Sequence, residues 1–146
     1  MTTIQYLKQY RTAYLERLSL LRRREDLRAK YAYPRAIQYS DMPKAHDVNR
    51  DLSDFAVKLM ELEHLLDSKA VQCLTLEMEI LCRIDLIKKH EEREVLRARY
   101  IDLDTRTGRQ KSFKRIAREL HYSQPQIYRI HRLALKHFPM PNDDSK

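Results

Sequence analysis

Between Ser123 and Lys136 the chain reads SQPQIYRIHRLALK, and within it Gln124, Gln126, Tyr128, Arg129 and Arg132 carry the side-chain chemistry that reads base edges. A carboxamide can bond adenine through two hydrogen bonds, and a guanidinium can bond guanine in the same way. Spacing decides whether such groups act together. On a helical wheel of about 100° per residue, Ile127, Ile130, Ala134 and Phe138 share one side. Arg129, Arg132 and Lys136 fall opposite, with Tyr128 and Gln126 at the flanks. Gln124 lies at the helix start, where a helix entering the major groove first meets bases. This division into an apolar face and a cationic, amide-bearing face is what double-stranded DNA requires of a reading helix.

The surroundings suit the same polyanion. Residues 105–138 contain nine Lys or Arg and a single acid, Glu119. Lys114, Arg115 and Arg118, with Arg106, Arg109 and Lys111 in the preceding loop, are expected to neutralise phosphates. Ser123 and Lys136 complete the expected phosphate-facing set. Ser123-Gln124-Pro125-Gln126 fits a capping box, with Pro125 in the tolerated first turn. Ser112 is a candidate N-cap for a shorter helix that buries Phe113, Ile116, Ala117 and Leu120. Before it, Glu91 to Ile101 forms an amphipathic helix with Val95, Leu96, Tyr100 and Ile101 on one stripe. Its acids Glu91, Glu92 and Glu94 sit in the first turn, where they complement the helix dipole.

These parts need a scaffold, and composition specifies its class. One glycine and five prolines among 146 residues rich in Leu, Arg, Glu and Lys favour long helices over tight strand turns, so the fold is expected to be all-α. Gly108 is the only residue that takes positive φ cheaply, which excludes glycine-rich phosphate loops. Ile4, Leu7, Arg11, Tyr14, Leu18, Leu21 and Glu25 alternate by three and four residues. The same alternation runs through Leu52, Phe55, Leu59, Leu62, Leu66, Lys69, Cys73, Leu76, Ile80, Arg83 and Ile87. The segment from Tyr31 to Asp47, with Pro34 and Pro43, is a connector. Residues 1–89 therefore read as a long, coiled-coil-like helical hairpin, 90–138 as a DNA-binding domain and 139–146 as a polar tail. A helix over 48–89 would be roughly 60 Å long, more than the first helix can cover, so a homo-oligomer, a dimer or higher, is expected through the uncovered seam. On that division, removing residues 1–89 should leave a weaker DNA binder that has lost its second reading head.

Other chemistry finds little support. His131 and His137 are six residues apart and point to different faces, unlike helical metal ligands at i and i+4, so no metal or cofactor is expected. Cys73 and Cys82, nine residues apart on one helix, lie on opposite faces and cannot pair. No Ser-His-acid or paired-carboxylate spacing supports catalysis, and a non-enzyme is expected. The formal charge of +8 favours an anionic partner. Arg22, Arg23 and Arg24 read as a solvated face in preference to a second DNA contact. No apolar run approaches membrane-spanning length and no leader is evident, so no membrane contact and a cytoplasmic, reduced location are expected.

EREVLRARYI followed by SFKRIARELHYSQPQIYRIHRLAL resembles region 4 of bacterial sigma factors. SDMP at Ser40–Pro43, DLSDFAVKLMELE at Asp51–Glu63, HYS, and the terminal IHRLAL resemble the RinA and ArpU group of phage-encoded transcriptional regulators. The resemblance implies a sigma-like helix-turn-helix behind a helical hairpin, and activation of late or packaging genes of a phage or prophage in a bacterial cytoplasm. It also implies action beside or upon host RNA polymerase. By position it places the DNA-reading residues at Gln124, Pro125, Tyr128 and Arg129. Pro125 stands where the sigma pattern has an acid, and the loop Asp102–Lys111 is longer than the usual link. Two other readings remain: a sigma-like polymerase subunit, and a packaging or adaptor protein that grips DNA without reading it.

Overall fold

The computed structural model describes residues 1–32 and 45–142. Most of the connector, SDMP and the last four residues of the tail lie outside them. The described residues are helical and contain no strands, as the composition requires. The helices are α1 (Thr3–Ala32), α2 (Ala45–Asp85), α3 (His90–Leu96), α4 (Phe113–Leu120) and α5 (Gln124–His137), and α3 continues into a π-helical turn at Arg97–Ile101. That turn closes with the Asp102 N–H on the Arg97 carbonyl at 2.9 Å.

Two compact units make up the chain, Met1–Leu15 with Val71–Lys146, and Glu16–Ala70. In the first, Tyr6, Leu7, Tyr10 and Ala13 of α1 share a core with Ile80 and Ile84 of α2, Leu96, Tyr100 and Ile101, and Ala134 and Phe138 at the far end of the chain. The Tyr6 and Phe138 rings lie 5.8 Å apart. This core therefore draws on both sides of residue 89, where the sequence reading placed a boundary. Burial, followed by the hydrogen bond to Glu79, pushes the Tyr6 hydroxyl up to about 12. A second cluster, Val95, Ala98, Ile116, Ala117 and Ile127, joins α3, α4 and α5, with Phe113, Leu120, Tyr122 and Ile130 around it.

The unit Glu16–Ala70 is held by Leu66 and by charge. Arg24 and Arg28 both reach Glu63, at 3.4 and 3.3 Å, and Lys69 pairs with Glu16. Arg24 thus has a structural partner, while Arg22 and Arg23 are solvent-exposed. The Tyr31 and Phe55 rings stand 4.4 Å apart.

The heptad reading of α1 requires correction. Ile4 is exposed, whereas Tyr6, Tyr10 and Ala13 are buried. Along the expected seam Leu7 is fully buried and Arg11, Tyr14, Leu18 and Leu21 are half-buried, while Glu25 is exposed like Ile4; the buried face is wider than the seam and takes in the neighbouring Tyr6, Tyr10 and Ala13. On α2 the expected stripe is at least half-buried from Phe55 to Arg83, as is Ile87 just beyond the helix, and Leu52 alone stands exposed. α2 ends at Asp85, a few residues before the expected end at 89.

Candidate nucleic-acid interface

Three residues, His121 to Ser123, separate α4 from α5. His121 closes α4 in the left-handed region at φ 60°, with its N–H on the Ala117 carbonyl, a position usually given to glycine. Ser123 caps α5. Its hydroxyl accepts from the Gln126 N–H, and the Gln126 Oε1 accepts from the Ser123 N–H and hydroxyl at 2.9 and 3.0 Å, the reciprocal box that the sequence suggested. Those bonds occupy the Gln126 carbonyl oxygen and the Ser123 hydroxyl, so both are committed to starting the helix.

The helical wheel of α5 is realised in space. Ile127 and Ala134 are fully buried and Phe138 nearly so, while Gln124, Gln126, Tyr128, Arg129, Arg132 and Lys136 are exposed. Tyr128 is 48% exposed, with its ring 4.8 Å from Phe113. That contact fixes the ring and leaves the phenol outward, an arrangement a base or sugar can stack against. His131, on the same helix, turns inward. Its Nε2 lies 3.0 Å from the Tyr100 hydroxyl, its ring stacks on Tyr100 and meets Phe113 edge-on, and Arg99 lies over the Phe113 ring at 4.4 Å. Burial, with Arg99 nearby, lowers the His131 imidazole to about 4, so it is neutral near pH 7.

The expected phosphate contacts divide into two groups. Lys114, Arg115 and Arg118 are exposed on α4, and Arg106 and Arg109 on the loop. Lys111 and Arg115, however, both donate to Glu119, at 2.9 and 3.0 Å, and these bonds hold the Glu119 carboxyl below its usual range. The one acid of the segment thus ties down two of its cations. Ser112 caps α4 as expected, accepting from the Arg115 N–H.

The loop, longer than the usual link, is held by its own hydrogen bonds. The Asp104 carboxylate accepts from the Arg106 and Thr107 N–H groups and the Thr107 hydroxyl, which lowers its pKa, and the Gly108 N–H returns to the Asp104 carbonyl. Gly108 closes this turn at φ 66°. From α1, Arg11 donates to the Gly108 carbonyl and the Tyr14 hydroxyl to the Thr105 carbonyl, both at 3.0 Å. No pattern within residues 90–138 shows that α1 anchors this loop.

Glu91 and Glu92 lie in the first turn of α3 as expected and Glu94 falls beyond it. Glu92 is also buried, with its Oε2 2.8 Å from the His137 Nδ1 of α5 and Lys89 at 4.0 Å from Oε1. The partner lies 45 residues away, beyond any local pattern. Among the described residues no group of three or more His, Cys, Asp or Glu side chains is placed to hold a metal, and no helix is long and apolar enough to cross a membrane. Cys73 is buried and Cys82 exposed, as their nine-residue offset requires.

No family model, curated protein or solved structure gives a significant match to this chain.

Proposed function

We propose that the chain is a non-enzymatic, sequence-specific double-stranded DNA-binding transcriptional regulator, in which α4 and α5 act as a helix-turn-helix and α5 is the reading helix. The observation that carries this reading is the outer arc of α5. Tyr128, Arg129, Arg132 and Lys136 are all exposed opposite the buried Ile127 and Ala134, with Gln124 exposed at the start. Amide, phenol and guanidinium side chains on a capped helix match base edges in a major groove. Arg106, Arg109, Lys114 and Arg118 supply cations for phosphates on either side. Gln126 and Ser123 contribute by starting the helix, and Lys111 and Arg115 reach phosphate only by leaving Glu119.

The resemblance to RinA and ArpU regulators, and to sigma region 4, supports the biological half of the proposal: activation of phage or prophage late or packaging genes in a bacterial cytoplasm, as a homo-oligomer, beside host RNA polymerase. Selection of bound fragments from random duplex DNA by the purified full chain tests the central claim. A shared sequence motif among the selected fragments is the expected result. Equal affinity for all sequences would favour the packaging or adaptor reading, and sequence preference only in the presence of polymerase would favour the sigma-like subunit.

A further inference from the structure

α2 covers one stripe of side chains and exposes another. Leu59, Leu62, Leu66, Cys73, Ile80 and Ile84 lie on the covered side. Roughly opposite on the wheel, Val57, Met60, His64, Asp67, Val71, Leu74 and Met78 alternate by three and four residues, and every one is exposed. The five apolar members are between 52% and 69% accessible. A lone exposed leucine is ordinary, but seven successive core positions of a heptad pattern are the seam of a helix pair. This stripe differs from the seam that the sequence reading left for a second chain, which the structure shows covered.

The two polar members identify the occupant. In a parallel, in-register pair each residue meets its own copy, so Asp67 would face the partner's Asp67, two carboxylates in one apolar seam. In an antiparallel pair with its two-fold axis between residues 65 and 66, His64 faces the partner's Asp67, and Asp67 the partner's His64. The same register sets Val57 against the partner's Leu74 and Met60 against the partner's Val71. With this axis Val57, Met60, Val71 and Leu74 meet apolar partners and His64 meets Asp67, while Met78 at the end of the stripe faces the partner's Ser53. We propose that this face of α2 binds α2 of a second copy of the chain, antiparallel, with the His64–Asp67 pair setting the register. Polar pairs inside a helical seam commonly select register and orientation in this way. The inference does not rest on the DNA reading, since self-association is measured without DNA.

Three measurements on the full chain test it. Sedimentation should show a dimer at micromolar concentration, and Leu74→Asp should raise the dissociation constant at least about tenfold with the helical circular-dichroism signal retained. Asp67→Lys sets a cation against the partner's His64 and should weaken the dimer by about tenfold, and adding His64→Glu should restore it. In a parallel pair the double variant would stack like charges twice and be the weakest of the set. Finally, in a Cys82→Ser background, Val57→Cys combined with Leu74→Cys should give disulfide-linked dimers on mild oxidation, and neither substitution alone should. Self-linking of each single variant, a monomer at micromolar concentration, or a dimer indifferent to Leu74→Asp would each overturn the proposal.

Discussion

Arg129 and Arg115 differ mainly in where a helix points them, and on the proposed DNA-binding function that difference would separate reading from gripping. Arg129 stands on the outer arc of α5 with no acid bonded to it among the described contacts. Arg129→Ala should cost about 1 to 3 kcal/mol at the selected site and flatten preference at one base position, as titration against the selected and a scrambled duplex would reveal. Uniform loss on both would remove Arg129 as a reader. His131, on the inner side of the same helix, gives a pH prediction. Its folded-state pKa of about 4 lies below the usual 6.5, so between those values the unfolded chain binds more protons and stability rises with pH. The contribution is fully present above about 6.5, and is lost as pH falls toward 4. Thermal melts from pH 7.5 to 4.5 should show that slope, and His131→Gln should flatten it. The outward chemistry of α5 was legible because Ser123, Pro125 and the apolar period fix both the start and the rotation of the helix. The inward placement of His131 was not, because Tyr100 and Phe113 come from other elements.

At the scale of elements, the junction between the loop and α4 is governed by Glu119. Lys111 and Arg115 are both bonded to it, so on the proposed DNA-binding function a phosphate would compete with an existing ion pair. Glu119→Gln removes the competitor, and should strengthen binding to all duplexes alike and steepen the dependence of affinity on salt by about one counterion or more. Binding isotherms at two salt concentrations measure both effects, and an unchanged slope would mean that Lys111 and Arg115 do not reach phosphate. The pair Arg115–Glu119 was visible in the sequence as an i, i+4 spacing, whereas Lys111 arrives through the path of the loop. That path depends on Gly108 at φ 66°, where a side chain costs about 1 to 2 kcal/mol. Gly108→Ala should destabilise the unit by that amount in chemical denaturation, with weaker DNA binding if Arg106 and Arg109 lose their positions.

For the molecule as a whole, α3 and α5 share their core with α1 and α2. The sequence reading expected residues 90–138 to survive alone as a weaker binder. Instead Leu96, Tyr100, Ile101, Ala134 and Phe138 bury against Tyr6, Leu7, Ile80 and Ile84. Leu7 is fully buried, so Leu7→Ala should cost about 2 to 5 kcal/mol and lower the melting temperature of the unit that carries α5. A fragment starting at residue 90 should show poor amide protection, not merely weaker affinity. All-α class and most element positions followed from glycine count, proline positions and period. The assembly of the core did not, because periodicity reports which side of a helix is apolar and says nothing of which distant helix covers it. The ring contact between Tyr6 and Phe138 also orders events during synthesis. Tyr6 is polymerised long before its partner exists, so on the ribosome the first helix waits with an open apolar side while the rest of the chain is made, and native closure comes only after α5 is free of the exit tunnel. A product terminated before α5 lacks Ala134 and Phe138 from that core. Such a product should therefore be cut by added protease faster than the full chain.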